Sequence, residues 1–300
     1  MTTSAPHRLT ALEAAALVAI VVIWGVNNAG AKLATEHLPP LFMGFLRFAI
    51  AGAVLAAFVR PPFPNGRRLL GVMIFGGPVH FGLIYLAFWM AEDVTPLSVS
   101  LQLWIPMTAL FAFLLMGERL TKAAVGGMAL AMLGVVWMTA DPHALHDWDA
   151  ILVGAAASAA WALATVNARR SIGVSPLKLQ GMLALTAAPV LGLASILFED
   201  DQLTAAVTAP PMVWASVIWA SLISTVIATG LLFWLVQRRE AGRVTPYMLA
   251  TPVVSALMGW GFMGDQLTWQ IVLGAALTLA GVGVVALVER RLRMGAARAA

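Results

Sequence analysis

The sequence predicts an all-α integral membrane protein with ten transmembrane helices, arranged as two five-helix halves of opposite orientation. Three observations predict it. Hydrophobic residues fill 61% of the 300 positions and charged residues only 11%, against the roughly one quarter charged that a soluble surface needs. Apolar runs of about 20 residues, each long enough to cross a bilayer core, follow one another along the chain. The loops between them alternate between basic and acidic, as loops on opposite sides of a membrane do.

The first span, 12–34, follows Arg8. Residues 14–26 with the small Ala29, Gly30 and Ala31 behind them imitate a signal peptide, but equally apolar spans fill the chain, so a retained helix is expected. The second, 41–59, lies between Pro39-Pro40 and the stretch from Pro61 to Pro64, where proline breaks helices. The third and fourth, 69–91 and 94–116, are separated only by Glu92 and Asp93. The fifth, 122–140, stops at Asp141-Pro142. The sixth to tenth cover 149–169, 177–197, 212–236, 244–263 and 268–288, with Pro210-Pro211 ahead of the eighth.

Charge gives the orientation. Arg8, then Arg60, Arg67 and Arg68, then Arg119 and Lys122, then Arg169, Arg170 and Lys178, then Arg238, Arg239 and Arg243, and finally Arg290, Arg291, Arg293 and Arg298 occupy every second connection. Between them come Glu92 and Asp93, then Asp141, Asp147 and Asp149, then Glu199, Asp200 and Asp201. Both termini are therefore expected in the cytoplasm of a bacterium, the chain lying in its inner membrane. The net charge of +4 is spread over these loops rather than along one face, so no nucleic acid is expected as a partner. With no cysteine, thiolate metal sites and disulfides are excluded, and neither a metal nor a cofactor is expected.

The halves, 1–140 and 141–300, repeat each other. Val94-Thr95-Pro96 matches Val244-Thr245-Pro246, and Met116-Gly117-Glu118-Arg119-Leu120-Thr121 matches Met263-Gly264-Asp265-Gln266-Leu267-Thr268. Phe88-Trp89 answers to Phe233-Trp234, and Gly127 and Gly134 share the spacing of Gly274 and Gly281. Five spans per half is an odd number, so the second half runs inverted, an architecture of alternating-access carriers.

With Trp24-Gly25 in the first helix, Leu46-Arg47-Phe48 in the second, mid-helix Pro106 and Pro252, and the Gly117-Glu118 and Gly264-Asp265 helix ends, the chain resembles the drug/metabolite transporter superfamily, in particular its ten-helix EamA-type exporters. The resemblance covers nearly the whole chain. Within it, the many tryptophans and the polar first helix look most like the YddG-type exporters of aromatic and other neutral amino acids. What the resemblance implies is a monomeric basket of helices around a central cavity, with helices 5 and 10 peripheral. Asp265-Gln266 replaces Glu118-Arg119 in the second half, which departs from strict symmetry.

The residues themselves supply a candidate path. A mid-bilayer charge costs about 2.5 to 3.5 kcal/mol on insertion scales, so polar side chains in the spans should face protein or water. No acidic residue lies at mid-depth, which argues against a buried carboxylate proton relay. Lys32 and Arg47 are the intramembrane bases, with snorkelling to the outer interface and a role at the cavity mouth as the two readings. Asn27 and Asn28 suit a zwitterion, since an amide both donates and accepts, though an interhelical bond explains them as well. His80 is the mid-membrane group that titrates near neutrality, a switch or a packed helical histidine. Tyr85 and Trp89 on the same helix, Gln102 and Trp104 in helix 4, and Trp24 and Trp161 at matching positions of helices 1 and 6 would wall a cavity for large neutral solutes. Ser221, Ser224, Thr225 and Thr229 in helix 8 and Tyr247 and Thr251 in helix 9 complete the set, with back-bonding to their own helix as the alternative for the hydroxyls. Pro78, Pro106, Pro189 and Pro252 are the candidate hinges. Trp137, Trp148, Trp260 and Trp269 are read as interfacial anchors.

Three function classes remain. A secondary exporter of small neutral solutes, aromatic and other neutral amino acids foremost, accounts for the repeat and the polar midplane. An uncoupled facilitator shares all of this. A membrane-embedded enzyme lacks His-Glu-x-x-His, Gly-x-Ser-x-Gly and paired carboxylates, and no phosphate-binding loop supports direct ATP coupling.

Overall fold

A computed structural model describes residues 10–61, 63, 66–117, 121–140, 144–169, 174–238 and 245–299. The readings placed above on Arg8, Pro64, Glu118, Arg119, Asp141, Pro142, Arg170, Arg239, Arg243 and Val244 lie outside the described residues. All the regular structure among the described residues is helical. Among the described residues, eight helices are long and apolar enough to cross a bilayer: α1 (Ala11–Thr35), α2 (Pro40–Phe58), α3 (Leu69–Met90), α4 (Val94–Met116), α6 (Trp148–Ala168), α7 (Leu177–Phe198), α8 (Pro211–Leu232) and α10 (Trp269–Val288). Shorter apolar helices, α5 (Lys122–Met138) and α9 (Tyr247–Met263), stand where the fifth and ninth spans were expected.

Local chemistry sets the starts. Thr10 accepts from the Glu13 N–H while Glu13 accepts from the Thr10 N–H, a capping box that opens α1. Proline begins α2 and α8, where its missing donor costs nothing. Gly117 and Gly264, at φ 68° and 86°, end α4 and α9 in the left-handed conformation that glycine tolerates best.

One cluster of buried side chains joins Leu38, Met43, Phe88, Val94, Ala150 and Val213, with Ala209 and Met263 packed on it, so the connections after α1, α3, α5, α7 and α9 gather at one end. These are the acidic connections, and that end is called the acidic end below. At the other end Lys178 lies 4.7 Å over the Phe63 ring, and Leu17, Leu235 and Met248 pack together. The alternation of charge therefore matches the alternation of ends. Apolar side chains such as Val18, Val22, Leu133, Val136, Leu193 and Ile196 stay exposed on the outside, the surface a lipid solvent accepts.

Two kinds of helix make up the bundle. The α5 and α10 helices lie backbone to backbone, because a Cβ on Gly274 would stand 2.7 Å from the Gly134 carbonyl oxygen and one on Gly127 2.8 Å from that of Gly281. Thr278 Oγ1 reaches the Ala131 carbonyl across the same seam at 3.3 Å. By contrast α3, α4, α8 and α9 are interrupted. A π turn spans Phe75–Val79 in α3, with Gly77 at φ −99°, ψ −107° beside Pro78. A 3₁₀ turn, Leu101–Leu103, breaks α4, a long π stretch, Trp219–Ala228, occupies α8, and α9 begins as 3₁₀ and ends as π. Such irregular backbone is tolerated at membrane depth only inside protein or along a cavity. Pro78, Pro106 and Pro252 sit at or just after these breaks, whereas Pro189 lies in the uninterrupted α7 with its side chain exposed.

Candidate functional site

Arg47 is the centre of one polar group. It lies seven residues inside α2, about 10 Å from the helix start, and is only 6% exposed. Its Nε donates to Thr225 Oγ1 at 2.9 Å, one terminal nitrogen to Tyr85 Oη at 3.0 Å and the other to Ser224 Oγ at 3.4 Å. The guanidinium also sits 4.7 Å from the centre of the Phe81 ring, a cation–π distance. The side chain does not snorkel; it is held inside by neutral hydroxyls from both halves. Next to it, His80 Nδ1 meets the Ala157 carbonyl at 2.8 Å, and its ring lies 4.9 Å from Trp161 and 4.6 Å from Phe81. Phe81 in turn meets Phe48 edge to face at 4.6 Å. An aromatic wall from α2, α3 and α6 thus adjoins a buried cation.

A second polar group joins α1, α4 and α9. Asn28 Nδ2 donates to Ser98 Oγ at 3.3 Å and to Ser255 Oγ at 3.0 Å, and Ser255 donates to the Thr251 carbonyl at 3.2 Å. Gln102 is four residues after Ser98 and Thr251 four before Ser255, so each shares a helix face with a serine that Asn28 touches. Asn27 Oδ1, Gln102 Oε1 and Thr251 Oγ1 are buried without a hydrogen-bond partner among the described residues. Three such atoms on the same three helices are costly for a merely structural layer, since each forgoes its bonds to water. Ser98 and Ser255 were missed from sequence because a lone serine in an apolar helix usually bonds to its own backbone.

The other candidates are placed as follows. Trp24 packs with Leu17, Leu235 and Met248 towards the basic end. Trp104 packs against Leu103, Ile105 and Val282, on the side of α5 and α10. Tyr85 is fully buried while Trp89, one turn on towards the acidic end, is 56% exposed, so only Tyr85 is enclosed by the interior. Thr229 bonds back to the Ser224 carbonyl and Thr225 to that of Ala220, both five residues earlier as in a π-helix. Tyr247 is half exposed near the basic end. Trp137, Trp148, Trp260 and Trp269 are all exposed, with Trp137 and Trp269 in edge contact at 6.3 Å. Of two surface cavities, one of about 320 Å³ lies at the acidic end beside Trp260 and Asp265. The other, about 330 Å³, lies between Val59, Phe63, Met73 and Met182. Neither contains a candidate substrate residue.

The acidic end is held by carboxylates. Asp265 accepts from the Val94 N–H at 3.3 Å, the Thr95 N–H at 2.9 Å and Thr95 Oγ1 at 2.7 Å, capping α4 from the connection after α9. Glu199 accepts from Leu41 and Phe42 N–H at 2.7 and 3.0 Å, capping α2 from the connection after α7. Asp147 accepts from the Glu92 and Asp93 N–H groups. Burial first, then the charges of Asp265 and Asp147, push the Asp93 carboxyl up to about 7. Burial likewise raises Asp147, against the pull of its two backbone donors. Lys32, buried beneath, pairs with Glu36 at 3.2 Å.

Comparison with known proteins adds the following. The EamA-like transporter family matches residues 12–140 and again 148–287. A protein of Salmonella typhimurium called a probable amino-acid metabolite efflux pump is 30% identical over 273 residues, 88% of this chain and 91% of the relative. The inner membrane transporter YedA of Escherichia coli, itself uncharacterized, is 26% identical over 84% of this chain and 83% of its own. A crystal structure with 24% identity covers 95% of this chain and 99% of its own at a TM-score of 0.62, a likeness of fold.

Proposed function

The chain belongs to the EamA-like transporter family, and from that premise we propose that this membrane transporter exports neutral amino acids, large and aromatic ones included, as a monomer working by alternating access. The observation that carries the proposal is the pair of polar groups buried in otherwise apolar helices. The partnerless oxygens of Asn27, Gln102 and Thr251 accept hydrogen bonds, as an ammonium requires, and the ring wall of Phe81, His80 and Trp161 offers apolar area and stacking to a side chain. Relatives called probable amino-acid metabolite efflux pumps support the same substrate class.

In this reading the acidic end faces out, both termini face the cytoplasm, and residues 1–140 and 141–300 are the inverted halves. The carboxylate caps of Asp265 and Glu199 then tie the second half to the first at the outer surface, so the conformation is closed to the outside. Export requires those ties to open while α3, α4, α8 and α9 flex at their breaks, with Pro78, Pro106 and Pro252 as the pivots.

Counterflow in proteoliposomes tests this. Internal unlabelled phenylalanine should accelerate entry of labelled phenylalanine, and Trp161→Ala should raise the half-saturating concentration by roughly tenfold, the loss expected when a stacked ring is removed. Absence of trans-stimulation would replace the carrier with an open facilitator, and wild-type behaviour of Trp161→Ala with every large substrate would remove the ring wall from the site.

A further inference from the structure

We infer that Arg47 is the anchor for the carboxylate of the transported molecule, a deepening that rests on the amino-acid reading above. Arginine has five N–H donors, and Arg47 spends three of them on the hydroxyls of Thr225, Tyr85 and Ser224. One donor on each terminal nitrogen is left over, the arrangement that grips a carboxylate with two parallel bonds. No acidic side chain pairs with Arg47 among the described residues, whereas the other buried base, Lys32, has Glu36. A guanidinium closed off from water and surrounded by neutral groups lacks the counterion that normally offsets its desolvation. A bound carboxylate supplies one.

The surroundings narrow the ligand further. The site holds a single positive charge, which matches a monocarboxylate and would leave a phosphate dianion in excess. Phe81 and Phe48 cover one side of the guanidinium, at 4.7 and 5.6 Å, so the ligand approaches from the side of the hydroxyls. Of those hydroxyls, Tyr85 belongs to α3 and Ser224 and Thr225 to α8. A carboxylate on the two spare donors sits beside Ser224, whose 3.4 Å bond to Arg47 is the longest of the three, and so lies at the contact between α2 and the π segment of α8. Substrate arrival is thereby linked to the contact between the halves.

The test uses the full chain in lipid nanodiscs and four probes: phenylalanine, phenylalaninamide, phenethylamine and 3-phenylpropionate, each scored by thermal stabilisation and by inhibition of phenylalanine counterflow. The expected result is that the two carboxylates bind and the amide and amine bind at least ~30-fold more weakly, the loss typical when one partner of a buried charge pair is missing. Arg47→Gln should lose the two carboxylates by a similar factor, and Arg47→Lys should recover part of that loss, since it keeps the charge and not the fork. Equal binding of amide, amine and acid to the wild type, or no binding of any carboxylate, overturns the inference whether or not Arg47→Gln folds. Retention of phenylalanine within ~3-fold by a folded Arg47→Gln does the same. If the amino-acid reading alone is wrong, 3-phenylpropionate still stabilises the wild type and not Arg47→Gln while no amino acid is carried.

Discussion

The α5–α10 pair and the four interrupted helices are all apolar enough for lipid, yet their backbones are built in opposite ways. In the pair, Gly127, Gly134, Gly274 and Gly281 let two helices touch along their backbones, and Thr278 hydrogen-bonds across the seam. In α3, α4, α8 and α9 the ladder is broken by Gly77-Pro78, by the turn ahead of Pro106, by the back-bonding hydroxyls of Thr225 and Thr229, and by the 3₁₀ start before Pro252. Close packing gives the frame one arrangement. Interrupted helices, the path of the proposed transport cycle, have backbone breaks at which a second arrangement can form.

The largest effect should come from the frame. Gly274→Val puts carbon against the Gly134 carbonyl oxygen and the Met138 backbone nitrogen, at 2.7 and 2.8 Å for the first carbon alone. A loss of about 3 kcal/mol or more is expected, read as a fall in Tm of ~5 °C or more in nanodiscs, with the half-saturating concentration of the surviving protein unchanged. An unaltered Tm would break the distinction between frame and path. A smaller effect is expected from Asp265→Ala, which strips α4 of three hydrogen bonds to the second half. Loss of about 1 kcal/mol from closure should speed labelling of a Ser98→Cys chain by an impermeant maleimide from outside roughly fivefold. The chain has no cysteine of its own to interfere. Unchanged labelling would show that the carboxylate does not hold the acidic end shut.

The smallest effect belongs to Asp93. Its carboxyl titrates near 7 in the folded chain, above the ordinary 3.8, so folding takes up a proton between those values and stability falls as pH rises across that window. Asp93→Asn abolishes that penalty. Its Tm should exceed the wild type by ~1–2 °C at pH 8 and converge with it below pH ~4, a modest figure because the group is partly exposed. A constant offset at every pH would assign the change to packing instead.

Much of the fold was legible because a bilayer imposes length, and charge imposes sides. The spans drawn from apolar runs and proline pairs agree with the helices to within a few residues, and the gathering of Glu92, Asp93, Asp147 and Glu199 at one end is the pattern of their loops. The site was legible only in part. Asn28, His80, Tyr85 and Trp161 stood out as polar or aromatic in apolar runs, and they occupy the two interior groups. Arg47 was ambiguous because depth in α2 does not say which way a long side chain turns; Thr225, Tyr85 and Phe81 decide it, and they come from other helices. The π stretch of α8 was invisible for a different reason. It contains no proline, and its register shift is held by hydroxyl bonds to carbonyls five residues back, which the sequence alone does not distinguish from ordinary back-bonding.

The caps borrowed by α2 and α4 have a bearing on how the protein is made. Leu41 waits for Glu199, 158 residues downstream, and Val94 for Asp265, 171 residues downstream. At ribosomal speeds of 5–20 residues per second, α4 emerges with bare amide groups at its head and keeps them for roughly 10–30 s. A nascent chain released before residue 265 contains every group of the first half and still cannot seal it, so the last loop to be synthesised completes a helix that was among the first to be inserted.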